Sequence, residues 1–258
     1  MFAFEEFDIK LETDLIGRNF IYLDETESTN RFVLDNKNKV TQDGSVVMAE
    51  FQTAGRGRLD RKWVSSKDQN LTFTILLDLK EREIKNPQLL NFVASLVVAR
   101  SIENLHMLKT NLKWPNDVLI GQRKVAGILC ESVSNGSKIS KVAVGIGINV
   151  NQANFASGYL IEPTSVRMEV KQVVSRERLL AEILNNFEYT FARLESESKQ
   201  IVSEWKQFCK MLGDKVTVKA GEKEYIGLFS DVTDEGHMIL FDHLEDKHII
   251  TFGDVSAI

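Results

Sequence analysis

The sequence predicts an α+β protein, in which a mixed sheet with flanking helices is followed by a small β-rich module. Residues 45–51 and 71–79 are β-branched and aromatic runs, a composition that is typical of strands. Residues 87–105 begin with proline and carry apolar side chains at helical spacing, which predicts a buried helix. Residues 213–258 instead contain short apolar runs with turn residues between them, the pattern of a small barrel.

The stretch between the first helix and this module holds the remaining elements of the large unit. Three further runs favour strands and two favour helices: residues 110–114, 123–133 and 137–151, then residues 176–195 and 198–211. Turn residues separate the strand candidates, so we expect a mixed, largely antiparallel sheet. The chain should therefore divide into a domain of residues 1–212 and a domain of residues 213–258.

The composition of the chain excludes several classes of protein. With 258 residues, 43% hydrophobic side chains and a net charge of -5, the chain has the material for an ordinary globular core. The two cysteines, Cys130 and Cys209, do not suggest a disulfide framework. The first ten residues are acidic where a signal peptide is basic, and no apolar run reaches the ~20 residues of a membrane span. We expect a cytoplasmic protein that binds neither membranes nor, given its acidity, nucleic acids in general.

The stretch QTAGRGRLDRKW, residues 52–63, joins two predicted strands and concentrates positive charge in a glycine-broken loop. Arg56, Arg58 and Arg61 offer planar donors that suit phosphate or carboxylate oxygens, and Trp63 adds a stacking face. From its residues alone, the loop has three interpretations: it binds an anionic ligand, it binds nucleic acid, or it is a solvated structural loop.

Two other stretches carry residues of chemical interest. In KWPND, residues 113–117, a lysine and an aspartate flank a proline turn, and on these five residues alone a plain turn with a surface salt bridge is the preferred interpretation. In residues 142–151, glycines and asparagines alternate with valines and isoleucines, so one face of a strand is left open for a flat ligand or for close packing. Lys124 lies at the edge of an apolar strand, where it either holds an anion or extends into water.

Several common enzyme classes lack their usual signals. The sequence contains no HExxH, no P-loop, no paired CxxC and no GxSxG motif. No carboxylate cluster has the spacing of a protein metal cage, so we name no metal ligand.

Four stretches in this order, ESTN, QTAGRGRLDRKW, KWPNDVLI with KVAGILCE, and VGIGINVN, resemble the biotin protein ligases. The resemblance covers nearly the whole chain, whereas each motif alone is weak. It implies a catalytic domain related to class II aminoacyl-tRNA synthetases, followed by an SH3-like barrel. Relatives that also act as repressors carry an N-terminal DNA-binding domain, and the position of ESTN leads us to expect a monofunctional form without it.

The resemblance also assigns roles to individual residues. The implied catalytic residues are Lys124, Arg58 and Asp117. Biotin would contact Ser28, Thr29, Asn30, Gln52, Arg56, Gly57, Arg58 and Lys124. The adenylate would contact Arg61, Trp63, Lys113, Asn116 and Asn149.

The implied reaction uses biotin and ATP with Mg²⁺, forms biotinyl-5′-AMP, and transfers biotin to a lysine of a biotin carboxyl carrier domain. Relatives often form homodimers, and this chain is expected to bind no DNA. Where relatives often end in an arginine that reaches ATP, this chain has Ile258. A lipoate or octanoyl ligase is an alternative within the superfamily, and a catalytically inactive biotin- or nucleotide-binding regulator is an alternative from another class.

Overall fold

The structure is a computed structural model that describes residues 2–59, 61–80, 84, 86–135 and 138–257. Within them the helices are α1 (Phe4–Lys10), α2 (Thr29–Leu34), α3 (Leu89–His106), α4 (Val166–Val170), α5 (Arg176–Ala192) and α6 (Ser198–Phe208). The strands are β1 (Phe20–Thr26), β2 (Val46–Gln52), β3 (Leu71–Asp78), β4 (Thr110–Lys113), β5 (Asp117–Ile120), β6 (Arg123–Asn135), β7 (Lys138–Ile148), β8 (Lys215–Ala220), β9 (Lys223–Val232), β10 (Met238–Phe241), β11 (Lys247–Ile250) and β12 (Asp254–Ala257).

A seven-stranded sheet forms the centre of the large unit, in the order β1-β2-β3-β7-β6-β5-β4. Only the β1–β2 pair in it is parallel, and every other neighbouring pair is antiparallel. The expected mixed, largely antiparallel sheet with flanking helices is therefore confirmed. Strands β1 and β5 and the short helices α1, α2 and α4 were not predicted.

The two faces of this sheet are covered differently. On one face α3 packs against α5 and α6, and Phe92 stacks on Trp205 with ring centroids 4.1 Å apart. This face holds the main hydrophobic core. On the other face α2 covers only a small cluster around Val33, Val47 and Leu76. The rest of that second face is available for a binding site.

The last strands form a separate five-stranded antiparallel sheet, in the order β11-β10-β9-β8-β12. Its buried side chains belong to the same hydrophobic cluster as those of the large unit. Trp114, from the turn between β4 and β5, donates its indole N–H to the carbonyl of Gly236 at 3.0 Å. The expected small β module is thus present, while its closure into an SH3-like barrel and the boundary after residue 212 stay predictions.

Helix boundaries follow local chemistry. Helix α5 begins where it was predicted because the Ser175 hydroxyl accepts a hydrogen bond from the backbone N–H of Arg178. Helix α6 ends at Phe208, earlier than predicted, because Cys209 adopts an extended conformation. In the described part of the chain, no helix is long and apolar enough to cross a membrane.

Candidate active site

A cavity of about 360 Å³ opens on the sheet face that carries α2. Its walls come from the loop after β2, the turn between β4 and β5, strands β6 and β7, and residue 254 of β12. All the site residues that the sequence predicted line it: Ser28, Thr29, Asn30, Gln52, Arg56, Gly57, Arg58, Arg61, Trp63, Lys113, Asn116, Asp117, Lys124 and Asn149. The fold therefore gathers in one place four stretches that are far apart in the chain.

The glycine face of β7 is packed by protein side chains. A Cβ atom at Gly145 would lie 2.3 Å from Asn30 Oδ1, and one at Gly147 would lie 2.4 Å from Trp63 Cε2. Glycine at both positions lets α2 and the Trp63 indole approach the sheet closely. The indole N–H of Trp63 is buried and has no hydrogen-bond partner among the described residues. Close packing, one of the two interpretations of this pattern, thus accounts for both glycines.

The arginine loop, residues 52–63, folds back on itself as a small hairpin. The backbone N–H of Gly57 donates to the carbonyl of Arg61 at 2.7 Å, and that of Trp63 donates to Gly55 at 3.0 Å. A Cβ atom at Gly55 would lie 2.4 Å from the Trp63 carbonyl oxygen, so glycine permits this close crossing. The loop is consequently held over the cavity by its own backbone.

The C-terminal sheet fixes two of the loop arginines. Arg58 donates to the Gly253 carbonyl at 3.2 Å and to Asn116 Oδ1 at 3.3 Å. Arg61 forms an ion pair with Asp254, in which Nη1 and Oδ1 are 3.2 Å apart. Burial lowers the pKa of Arg58, while the nearby carboxylates of Asp254 and Asp117 oppose that shift.

Two lysines and an aspartate form the floor of the cavity beside the proline turn. Lys124 Nζ lies 2.6 Å from Asp117 Oδ1 and 5.9 Å from the centroid of a Trp63 ring. Burial lowers the pKa of Lys113, an effect that Asp117 partly opposes. Asn116 donates its amide to the Ile128 carbonyl at 2.6 Å, which ties the turn to β6. This corner can present two cations to an anionic group.

The segment at the start of α2 is held by side-chain hydrogen bonds. Gln52 Oε1 accepts from the Thr29 backbone N–H at 2.7 Å and from its hydroxyl at 3.1 Å. Asn30 donates to the Leu129 carbonyl at 3.0 Å and accepts from the Thr74 hydroxyl at 2.6 Å. Asn30 is buried, and its amide is occupied by protein partners. Asn30 therefore holds the start of α2 against the sheet, and a direct contact between Asn30 and biotin stays a prediction.

At the far end of the cavity, Asn149 follows β7 and donates its amide to the Thr164 carbonyl at 3.0 Å. Nearby, the buried Gln152 accepts from the backbone N–H of Ser66 at 3.0 Å and from the Asn70 amide at 2.6 Å. These bonds join the chain after β7 to the chain that follows Trp63.

Several residues of the site were not predicted from the sequence. Asp254, Thr74, Glu131, Gln152 and the lining segment that includes Tyr159 belong to this group. Asp254 lies in the C-terminal module, and only the fold brings it to Arg61. Glu131 ends the stretch KVAGILCE but was assigned no role, and no pattern in the sequence links the other positions to the motifs.

Known proteins resemble this chain in sequence and in fold. The profile of the biotin/lipoate A/B protein ligase family matches residues 22–149. A protein of Paracoccus denitrificans named biotin–[acetyl-CoA-carboxylase] ligase is 34% identical over 222 residues, covering 83% of this chain and 91% of that protein. The bifunctional ligase/repressor BirA of Bacillus subtilis is 30% identical over 233 residues, which are 89% of this chain and 71% of that protein. A solved structure of the Aquifex aeolicus biotin protein ligase with biotin and ATP superposes with a TM-score of 0.81 at 30% identity, covering 93% of this chain and 98% of that one.

Proposed function

Because this chain belongs to the biotin/lipoate A/B protein ligase family, and within it to the biotin protein ligases, we propose that it forms biotinyl-5′-AMP and transfers biotin to a carrier lysine. One observation carries the proposal. Among the described lining residues of the cavity are six cations, Arg56, Arg58, Arg61, Lys62, Lys113 and Lys124, against two carboxylates, Asp117 and Asp254. In a chain with a net charge of -5, this local excess of positive charge suits a carboxylate and a triphosphate.

In the first step, a biotin carboxylate oxygen attacks the α-phosphorus of ATP and pyrophosphate leaves. Negative charge on the phosphoryl oxygens must be stabilised while the bond to the leaving group breaks. In this proposal Lys124 and Arg58 supply fixed positive charge, and the arginine loop would exclude water from the mixed anhydride. Biotin contacts Ser28, Thr29, Asn30, Gln52, Arg56, Gly57, Arg58 and Lys124 in this proposal. The adenylate contacts Arg61, Trp63, Lys113, Asn116 and Asn149.

In the second step, a neutral lysine amine of the acceptor attacks the carbonyl carbon of the anhydride, and AMP leaves. Asp117 is the carboxylate next to Lys124 and can accept a hydrogen bond from the incoming amine. No protein nucleophile is required, because the biotin carboxylate and the lysine amine are themselves the nucleophiles, and the enzyme would hold each beside its electrophile.

Magnesium enters this scheme as part of the MgATP substrate. The two carboxylates that line the described cavity are each paired with a cation, Asp117 with Lys124 and Asp254 with Arg61. Among the described residues, no group of three or more His, Cys, Asp or Glu side chains could hold a metal ion. The residues present thus do not form a protein cage, and phosphate oxygens and water would hold the ion.

The acceptor in this proposal is the biotin carboxyl carrier domain of a biotin-dependent carboxylase. We also propose that the chain acts in the cytoplasm, binds no DNA through its arginine loop and forms a homodimer. Arg58 and Arg61 support the second point, because each is bonded to residue 253 or 254 beside the C-terminal sheet and so does not form a free basic arm.

The test is intact-mass spectrometry of an apo biotin carrier domain after incubation with the protein, MgATP and either biotin or lipoate. Biotin addition at one lysine, absent with lipoate, is the expected result. Lipoate addition would replace the substrate, and no addition in either arm would favour an inactive binding protein. A Lys124→Ala variant should lose biotin-dependent pyrophosphate release while still unfolding cooperatively, at a somewhat lower midpoint because Asp117 loses its ion-pair partner.

A further inference from the structure

Glu131 lies on β6 just beyond the cavity, and its carboxylate joins two parts of the site. Its Oε1 accepts from Arg56 Nη2 at 2.7 Å, and its Oε2 accepts from Asn30 Nδ2 at 2.9 Å. Arg56 belongs to the arginine loop, whereas Asn30 belongs to α2. One side chain therefore spans the two segments between which biotin would bind.

The Asn30 side of this contact is rigid. Asn30 is buried, and its amide also bonds to the Leu129 carbonyl and the Thr74 hydroxyl. A Cβ atom at Gly145 would lie 2.3 Å from Asn30 Oδ1, so the amide is also packed against β7. The Glu131 carboxylate is thus anchored to a fixed point at the start of α2.

The Arg56 side of the contact can be exchanged. The Arg56 side chain is 51% exposed and that of Glu131 is 26% exposed, so water screens the ion pair and keeps it weak. An anionic ligand in the cavity can then bind the Arg56 guanidinium together with Glu131, or in its place, at a small cost in free energy. Without a ligand, Glu131 keeps Arg56 near the position where it is needed.

We propose that Glu131 is a positioning residue for adenylation, which holds Arg56 of the arginine loop in a fixed relation to Asn30 at the start of α2. The inference rests on the proposed function, since it concerns the binding of biotin. Glu131 itself contacts neither substrate and acts through Arg56. Biotin then meets a loop that is already oriented, and less conformational freedom is lost on binding.

Steady-state kinetics of pyrophosphate release with Glu131→Gln, Arg56→Gln and the double variant test this coupling. Glutamine keeps an oxygen that accepts from Asn30 but removes the charge that holds Arg56. We expect the KM for biotin to rise about fivefold in Glu131→Gln, which corresponds to about 1 kcal/mol, with kcat and the KM for ATP nearly unchanged. The double variant should be no worse than Arg56→Gln alone. Effects that multiply, or an unchanged KM for biotin, would overturn the proposal.

Limited trypsin digestion of the ligand-free protein gives a readout that does not depend on activity. Cleavage within the arginine loop should be about fivefold faster in Glu131→Gln, because digestion follows the population of the open loop. Asp234→Asn is the matched control, since it removes the exposed Lys199–Asp234 pair, 2.8 Å long, outside the cavity. Equal digestion rates in wild type and Glu131→Gln would refute the inference. If the wild type released no pyrophosphate with biotin, the proposed function would fail. The digestion rates would still test whether Glu131 holds the arginine loop in place.

Discussion

Replacing Gly147 by alanine would test how the Trp63 indole is seated on the sheet. The new methyl group would lie 2.4 Å from Trp63 Cε2 and 2.7 Å from Cζ2, whereas ordinary contacts begin at 3.4 Å. The indole must therefore move about 1 Å away from the strand. Gly147 itself cannot yield, because its strand is paired on both sides, with Thr72 and with Gly127.

We expect Gly147→Ala to lower the activity of the protein more than its stability. Overpacking costs about 1–3 kcal/mol, and alanine regains about 0.5–1 kcal/mol over glycine in a strand. Because Trp63 lies on a loop that can shift, we expect a net loss of stability below about 2 kcal/mol. In the proposed function the adenylate lies against Trp63, so the displaced indole would enter its space and biotin-dependent pyrophosphate release should fall at least about tenfold, or about 1.4 kcal/mol.

Gly127→Ala is the matched comparison, because Gly127 lies directly opposite Gly147 on β6. Its Cβ atom would lie 3.1 Å from the flexible end of Lys124 and 3.5 Å from Trp63 Cζ3, so shifts of a few tenths of an ångström suffice. Pyrophosphate release and urea unfolding of both variants would be measured side by side. Equal rates in the two variants would refute the argument, as would a Gly147→Ala defect that stays additive with Trp63→Ala.

Three further changes have expected outcomes. Gln152→Ala should lower the free energy of urea unfolding by about 1–3 kcal/mol, because the buried Asn70 amide and the part-buried Ser66 backbone N–H lose their acceptor; an unchanged midpoint would contradict this. Glu50→Gln should cost about 3–5 kcal/mol, because Arg176 is left buried without its counter-ion, and adding Arg176→Met should recover part of the loss. Burial alone would raise the pKa of Glu188, but hydrogen bonds from the backbone N–H groups of residues 14–16 outweigh it and lower that pKa. Glu188 should thus stabilise the protein above about pH 4.3 and lose this effect as the pH falls through the lowered pKa, so Glu188→Gln should flatten the acid limb of a stability profile.

The elements predicted from the sequence are those with long, unambiguous patterns. Helix α3 and strands β3 and β7 are buried along most of their length, so hydrophobic spacing alone reveals them. Strand β5 has four residues and directly follows a proline turn, and its sequence signal is that of the turn. Strand β1 is half exposed and pairs in parallel with β2, so no hairpin turn marks it, and its apolar run is only the four residues 20–23.

The candidate site shows the same division. Its motif residues could be predicted because four stretches of the sequence resemble the biotin protein ligases, and the fold does gather those residues around one cavity. Which side chain fills the glycine face could not be predicted, because that depends on how a loop folds over a strand. The Arg61–Asp254 pair joins residues 193 positions apart and has no local signal at either end.

The bonds from Arg58 and Arg61 to the C-terminal sheet make that sheet a structural wall of the cavity. Strand β12 lies at the edge of this sheet. Because Arg58 and Arg61 bond to residues 253 and 254, a displacement of β12 would also move their two guanidinium groups. In the proposed function, a molecule that binds to β12 would alter adenylation from outside the cavity. Such a molecule could be a carrier domain, a second copy of the chain or an antibody. Inhibitors of such an enzyme need not resemble biotin or ATP, since a compound that shifts this edge of the sheet would also displace the two arginines bonded to it.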